Sequence, residues 1–325
     1  MNFHPSASAI NQPIPEAEQK FLDYFRSSFD VAEYVQKKVD ILCEYFVHHG
    51  LTGAVVAISG GIDSAVVAGL LAKVRAKINT QVIGITLPAL DNSGVSGQSS
   101  SMARAHEVLT KYGIRYGSSV MNMTPLHAAL DEAMQSNFGL QTDNWAKGQA
   151  VPYLRAALLY SITAMLSSNG IRSVLVGTTN RDEGLYLGYI GKASDGMVDI
   201  QPISDLHKSQ VREVAKYLGV PQSIIDVVPT GDMFDGRTDE EVFGASYDMV
   251  ELAMYVMHHV RGMNAYDSYR AHFGDDAALC EQMKSIDALH GYNHHKYLGA
   301  SPAVHFDLSE LNIKNGWKTN NWSMV

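Results

Sequence analysis

The chain has 325 residues, 46% apolar and 18% charged, which is material for a large core in one enlarged domain or one domain with appendages. A formal charge of −9 with no dense basic stripe argues against a nucleic-acid backbone as the main partner, but leaves room for a small anionic substrate held by local cations. The two cysteines, Cys43 and Cys280, fit buried thiols in a reducing compartment, and without a Cys-x-x-Cys neither a disulfide nor an iron–sulfur or zinc-ribbon site is expected. No basic and apolar leader opens the sequence and no run of about 18 apolar residues suggests a membrane span, so a cytoplasmic protein is expected.

Residues 1–15 are polar and contain proline, the composition of a loose arm. Helical spacing of apolar residues predicts helices over Ala17–Phe29 and Val31–His49, the second carrying Val31, Tyr34, Val35, Val39, Leu42 and Phe46 on one face. Ala54–Ile58 is short, apolar and β-branched, hence a buried strand, and the chain restarts as a helix at Asp63. A second strand is predicted over Gln81–Leu87 before Pro88, then a helix around Met102–Tyr112. Next come a candidate strand at Arg115–Val120, a helix over Leu126–Met134, a mobile loop over 137–149 and a long apolar helix over Tyr153–Ser168. Ser173–Gly177 is the next buried strand.

This alternation predicts an α/β fold, a doubly wound parallel sheet flanked by helices of Rossmann-like type, with its ligand crevice beyond the carboxyl ends of the strands. The expected division is an arm and helix over 1–30, a catalytic domain over 31–306 and a tail over 307–325.

The chemistry concentrates in Ser59-Gly60-Gly61-Ile62-Asp63-Ser64. Two glycines at a strand-to-helix turn remove the Cβ atoms that would hold an oxyanion away from backbone N–H groups. The following helix adds unpaired amides and the positive end of its dipole. Ser59 and Ser64 offer hydroxyl donors, and Asp63 puts a carboxylate where a magnesium ion on phosphate oxygens would sit. The Gly-Lys-Ser/Thr ending of the Walker loop is absent, so this is a polyphosphate cradle of another kind.

These six residues resemble the pyrophosphate loop of the ATP pyrophosphatases (the adenine nucleotide alpha hydrolase-like superfamily), which cleave ATP between the α and β phosphates and adenylate an acceptor. Beyond Gly177, Thr178-Thr-Asn-Arg-Asp-Glu183 leads into Gly188-Tyr-Ile-Gly-Lys192-Ala-Ser-Asp195-Gly and then Pro202-Ile-Ser-Asp-Leu-His-Lys208-Ser-Gln. Together these resemble the NAD synthetase family, ammonia-dependent branch. Lys147-Gly-Gln-Ala-Val-Pro-Tyr-Leu-Arg155, Val228-Pro-Thr230, Asp239-Glu-Glu-x-x-Gly-x-Ser-Tyr247 and His294-His295-Lys296 extend the likeness over about residues 31–306.

The resemblance implies a C–N ligase that adenylates the carboxylate of deamido-NAD and amidates it with ammonia, giving NAD, AMP and pyrophosphate. The alternative is a related amide ligase acting on another carboxylic acid. It further implies that Ser59, Gly60, Gly61, Asp63, Ser64, Thr178, Lys192, Lys208 and Thr230 bind ATP, with Mg2+ on Asp63 and Glu183. Asp63, Asp195 and Lys208 would be catalytic, and Arg155, Asp195, His295 and Lys296 would hold deamido-NAD and ammonia. A homodimer, with Tyr153–Ser168 a candidate contact, and a separate glutaminase as one ammonia source are implied too. Departures from the family pattern are Tyr153 in place of its first arginine, Gln149 in place of asparagine, Gln98-Ser-Ser-Ser101 in place of an acidic stretch, and one extra residue between Glu183 and Asp195. That extra residue leaves Asp182 and Glu183 both open as the metal carboxylate.

Overall fold

The computed structural model describes residues 10, 12–88, 95–114, 120–139, 143–231, 237–262, 264–297, 303–308 and 320–321. Two helices open it, α1 (Glu16–Arg26) and α2 (Val31–His48), the second started by Asp30, whose carboxylate accepts from Glu33 N at 2.9 Å. Then follow β1 (Gly53–Ala57), α3 (Ile62–Lys77), β2 (Gln81–Ile85), α4 (Val95–Lys111), α5 (Thr124–Phe138), α6 (Asn144–Ser168) and β3 (Ser173–Val176).

A single wide π-helical turn over Arg181–Tyr186 leads to β4 (Ile200–Gln201) and α7 (Lys208–Leu218). The short helices α8 (Gln222–Ile225) and α9 (Asp239–Phe243) precede α10 (Tyr247–Val260), α11 (Ala265–Phe273), α12 (Ala277–Tyr292) and α13 (His294–Tyr297), and β5 (Val304–His305) and β6 (Asn320–Asn321) end the order.

The strands form one parallel sheet in the order β2-β1-β3-β4-β5-β6, with Val55 opposite Ile83 on one side and Leu175 on the other. Side chains alternate across it. Ala54 and Val56 join α2, α3, α4 and α7 in one core, whereas Val55 joins Ile83, Leu175 and the α6 residues Leu159 and Leu166 in another. The predicted doubly wound sheet is therefore present. Because β1 lies between β2 and β3, the strand order reverses there, and the crevice at the carboxyl ends of β1 and β3 is the switch point. A third core, without strand residues, brings Leu22 of α1 together with Tyr186, Met249, Leu252 and Met283.

Several predicted boundaries shift. The loop predicted over 137–149 is mostly helix: α5 runs to Phe138, Gly139 closes it in the left-handed conformation, and α6 starts at Asn144 with Asp143 accepting from Ala146 N at 2.8 Å. Polar residues and Pro152 masked the helical pattern there, although capping and packing carry the helix through. Of the strand predicted at Arg115–Val120, residues 115–119 lie outside the described residues, and Val120 forms a parallel bridge with Thr86. Contrary to the sequence expectation, Ala146–Ser168 is long and apolar enough, by length and composition, to cross a membrane. One of its faces packs on the sheet through Leu159 and Leu166.

Candidate active site

Ile58–Gly61 connect β1 to α3. Gly60 has φ +83°, and a Cβ there would lie 2.4 Å from the Ser101 carbonyl oxygen, so the turn requires glycine twice over. Gly61 is the N-cap of α3 and supplies no side-chain cap, which leaves the first amides of the helix for a ligand. The two serines brace the turn. Ser59 Oγ accepts from Gly61 N at 3.2 Å and lies 3.2 Å from Ser64 Oγ, which donates to Gly61 O at 3.0 Å.

Asp63, in the first turn of α3, meets two residues from distant segments. Lys208 Nζ donates to Asp63 Oδ2 at 2.6 Å and to Glu183 Oε1 at 2.9 Å, and Asn180 Nδ2 donates to Asp63 Oδ1 at 2.9 Å. Lys208 is 2% exposed, whereas the two carboxylates are 19% and 18% exposed and so reach the crevice. Burial alone would discharge the lysine, but the two adjacent carboxylates raise its pKa and keep it an ammonium. Burial and the Glu183 charge push the Asp63 carboxyl above the usual range despite Lys208. At Glu183, burial is outweighed by Lys208 and by hydrogen bonds from Tyr247 and Lys208, which hold it below that range.

The neighbouring acids Asp182 and Glu183 do different things. Asp182 is fully buried: it accepts from Lys208 N at 2.7 Å through Oδ2, and its Oδ1 is 2.6 Å from His207 Nδ1. It thereby fixes the start of α7, where Lys208 sits. Glu183 faces Asp63, and its own amide donates to Asn180 Oδ1 at 3.0 Å, which caps the wide turn. Of the two acids left open by the sequence, Glu183 therefore shares the crevice with Asp63.

Tyr247 links a third acid to this group, donating to Glu183 Oε1 at 2.6 Å while lying 3.0 Å from Asp239 Oδ2. Asp239 is buried, and burial plus the Glu183 charge raise its pKa to about 6. The sequence does not single out Asn180 or His207 as site residues, carries Asp239 and Tyr247 only as the ends of a motif without a role, and leaves Asp182 open as the metal carboxylate. For Asn180 the usable signal was its place as a capping residue three positions before Glu183.

The remaining predicted residues gather elsewhere. Asp195 closes a tight turn: its Oδ2 accepts from Gly191 N at 3.3 Å and Ser194 Oγ at 3.1 Å, while its carbonyl accepts from Gln201 Nε2 at 2.8 Å. The Lys296 pKa is lowered by burial and by Lys192 and raised by Asp195, which puts these three charges in one neighbourhood. His295 is exposed beside Lys296 on α13. Thr178 is half-buried just past β3, and Thr230 is exposed, next to Gly231, whose backbone bonds Asp239. Arg155 turns to the end of β2, donating to Leu87 O at 3.3 Å. Among the described residues no group of three or more His, Cys, Asp or Glu could hold a metal by itself.

Residues 34–296, most of the chain, match the family model for NAD synthase. The chain belongs to the NAD synthase family. An ammonia-dependent NAD synthetase from Pyrococcus furiosus is 33% identical over 216 residues, 66% of this chain and 76% of that protein. One from Alkaliphilus metalliredigens is 32% identical over 269 residues, covering 82% and 96%. Among solved structures, an NMN synthetase from Francisella tularensis superposes with a TM-score of 0.65 at 29% identity, covering 82% of this chain and 96% of that one. As a member of the NAD synthase family, whose members use ATP to form NAD, the chain is a ligase.

Proposed function

We propose that the crevice at the β1–β3 switch point binds ATP through the Ser59–Ser64 turn and aligns its α-phosphorus with the nicotinate carboxylate of deamido-NAD. The carboxylate oxygen attacks that phosphorus, the bond to the bridging oxygen breaks, and pyrophosphate leaves. Ammonia then attacks the acyl carbon of the adenylate; AMP departs with the bonding pair, and the extra proton goes to a base. A free carboxylate at neutral pH is a poor acyl donor, so activation is what the ATP supplies.

One observation carries this reading: the buried Lys208 ammonium lies between Asp63 and Glu183 at the mouth of a glycine turn shaped for phosphate. Two ionised carboxylates against one ammonium leave one negative charge in excess in the cluster. Hard oxygen donors in excess of local cations suit Mg2+, which takes one or two carboxylates and fills its remaining positions with phosphate oxygens and water. When bound there, the ion would neutralise charge on the leaving pyrophosphate. Lys208 and Lys192 would hold the triphosphate, with Thr178 and Thr230 beside the nucleotide. Asp195 would receive ammonium and favour release of its proton, while Arg155, His295 and Lys296 would hold the acid substrate.

A second copy of the chain is part of the proposal. α6 leaves much of an apolar surface uncovered, Met165 being 66% exposed. Both cysteines are free and buried, in keeping with a reducing cytoplasmic setting. The ammonia is free or comes from a separate glutaminase.

A second reading changes only the acid. Tyr153 stands where a family arginine is expected and lies beside Gly191, near the Asp195 turn, and the similar Francisella protein is an NMN synthetase. The mononucleotide acid would then be the preferred acceptor. Mass-spectrometric detection of NAD, AMP and pyrophosphate from deamido-NAD, ATP and ammonium tests the first reading. A higher kcat/KM with the mononucleotide acid would favour the second, and no AMP with either acid would refute both.

A further inference from the structure

The Gln98–Ser101 departure from the acidic family stretch lies at the start of a helix that packs directly over the glycine turn. Ser101 O is the atom a Cβ at Gly60 would strike, and Arg104 Cβ would lie 3.3 Å from it. One turn along α4 from Ser101, Arg104 Nε donates to Gly60 O at 3.0 Å and Arg104 Nη2 to Ser101 Oγ at 3.0 Å. Ser101 thus orients the guanidinium, and the guanidinium grips the turn.

A trans peptide plane makes this contact consequential. The carbonyl of Gly60 and the N–H of Gly61 belong to one rigid unit and point in opposite directions. Holding the carbonyl toward α4 therefore aims the Gly61 amide away from α4, where Ser59 Oγ now accepts from it at 3.2 Å. Gly60 is in the left-handed region, and glycine there also has alternative conformations of similar energy, so the turn needs an external hold to keep its amides preset. Arginine suits the task because its charge is permanent and its planar fork engages two acceptors at once. It also adds a fixed positive charge near the anion-binding turn, to which Asp63 contributes a negative one.

We propose that Arg104 is a positioning residue for the triphosphate of ATP, acting through the Gly60–Gly61 peptide. This rests on the reading of residues 59–64 as the phosphate cradle. Arg104→Met should raise KM for ATP by about tenfold and weaken competitive inhibition by inorganic pyrophosphate in parallel. It should leave kcat and the KM for deamido-NAD within about twofold. Arg104→Lys, which keeps one donor and the charge, should recover part of the loss. A residue that merely stabilised the fold would lower the melting temperature or the active fraction and leave the KM for ATP unmoved.

Calorimetric titration of MgATP into each variant without the acid substrate keeps the two ideas apart. If the unaltered protein makes no product from deamido-NAD, the functional reading fails, yet the ATP affinities still judge Arg104. Should Arg104→Met not fold, Arg104→Gln takes its place. A KM and a dissociation constant for ATP within twofold of the unaltered protein overturn the proposal.

Discussion

Replacing Lys208 by Met removes one charge and keeps most of the stem. In the unaltered chain that ammonium is 2.6 Å from Asp63 and 2.9 Å from Glu183. Deleting one member of a buried ion pair leaves its partners uncompensated and costs about 3–5 kcal/mol. Here the carboxylates keep 19% and 18% exposure, so crevice water screens them and the lower end, about 3 kcal/mol, is expected at pH 8.

In the unaltered protein the two acids oppose each other: the lowered Glu183 pKa gives stability that is present above the unfolded carboxyl value and lost as pH falls, whereas the raised Asp63 pKa gives stability that is present at low pH and lost as pH rises. In the variant, two facing carboxylates would hold a shared proton more tightly than the unfolded chain does. Stability would then be present at low pH and lost as pH rises. Urea unfolding of both proteins at pH 5 and pH 8, with and without magnesium, measures this. The deficit should shrink at pH 5, and at pH 8 magnesium should restore more of it in the variant than it adds to the parent. A deficit under about 1 kcal/mol at pH 8, or one equal at both pH values, would refute this account of the cluster.

Asp239 has a pKa raised to about 6 against an unfolded value near 4, so its folded-state advantage is full below about 4 and disappears as pH rises through about 6. Asp239→Asn should therefore stabilise the chain by about 1–2 kcal/mol at pH 8 and by much less at pH 4, read from thermal melts. Glu183→Gln should fold but raise the magnesium needed for half-maximal activity at least fivefold. Asp182→Asn should cost about 3 kcal/mol, because two buried partners lose a charged acceptor, and leave that magnesium requirement unchanged. The reverse pattern would mean the two acids are assigned the wrong way round. Met165→Asp should convert a dimer to monomer in light scattering; a variant that stays dimeric places the contact elsewhere.

The central strands β1, β2 and β3 were legible because they are short apolar runs, and buried strands announce themselves that way, whereas the two-residue strands β4, β5 and β6 carry polar residues and gave no such signal. The phosphate turn was legible for a related reason: Gly60 is forced both by φ and by Ser101 packing against it, so the sequence has no freedom there. Lys208 and Glu183 came from motif likeness, since nothing local says that residues 145 and 120 positions past Asp63 converge on it. The role of Tyr247, present in the sequence reading only as the end of a motif, and Arg104 altogether escaped because their contribution is a contact across the fold, and an arginine on a surface helix looks ordinary. The helical start of α6 escaped because Asp143 capping and tertiary packing outweigh a polar, proline-bearing composition.

The wide turn at Arg181–Tyr186 has an evolutionary corollary. One residue advances an ordinary helix by about 100°, so deleting a single position from this turn would rotate the following side chains by more than a quarter circle. Asp182 would lose its place over the first amide of α7, and the acid opposite Asp63 would change identity. The same deletion would therefore exchange a buried acid that anchors a helix for one that faces the phosphate turn.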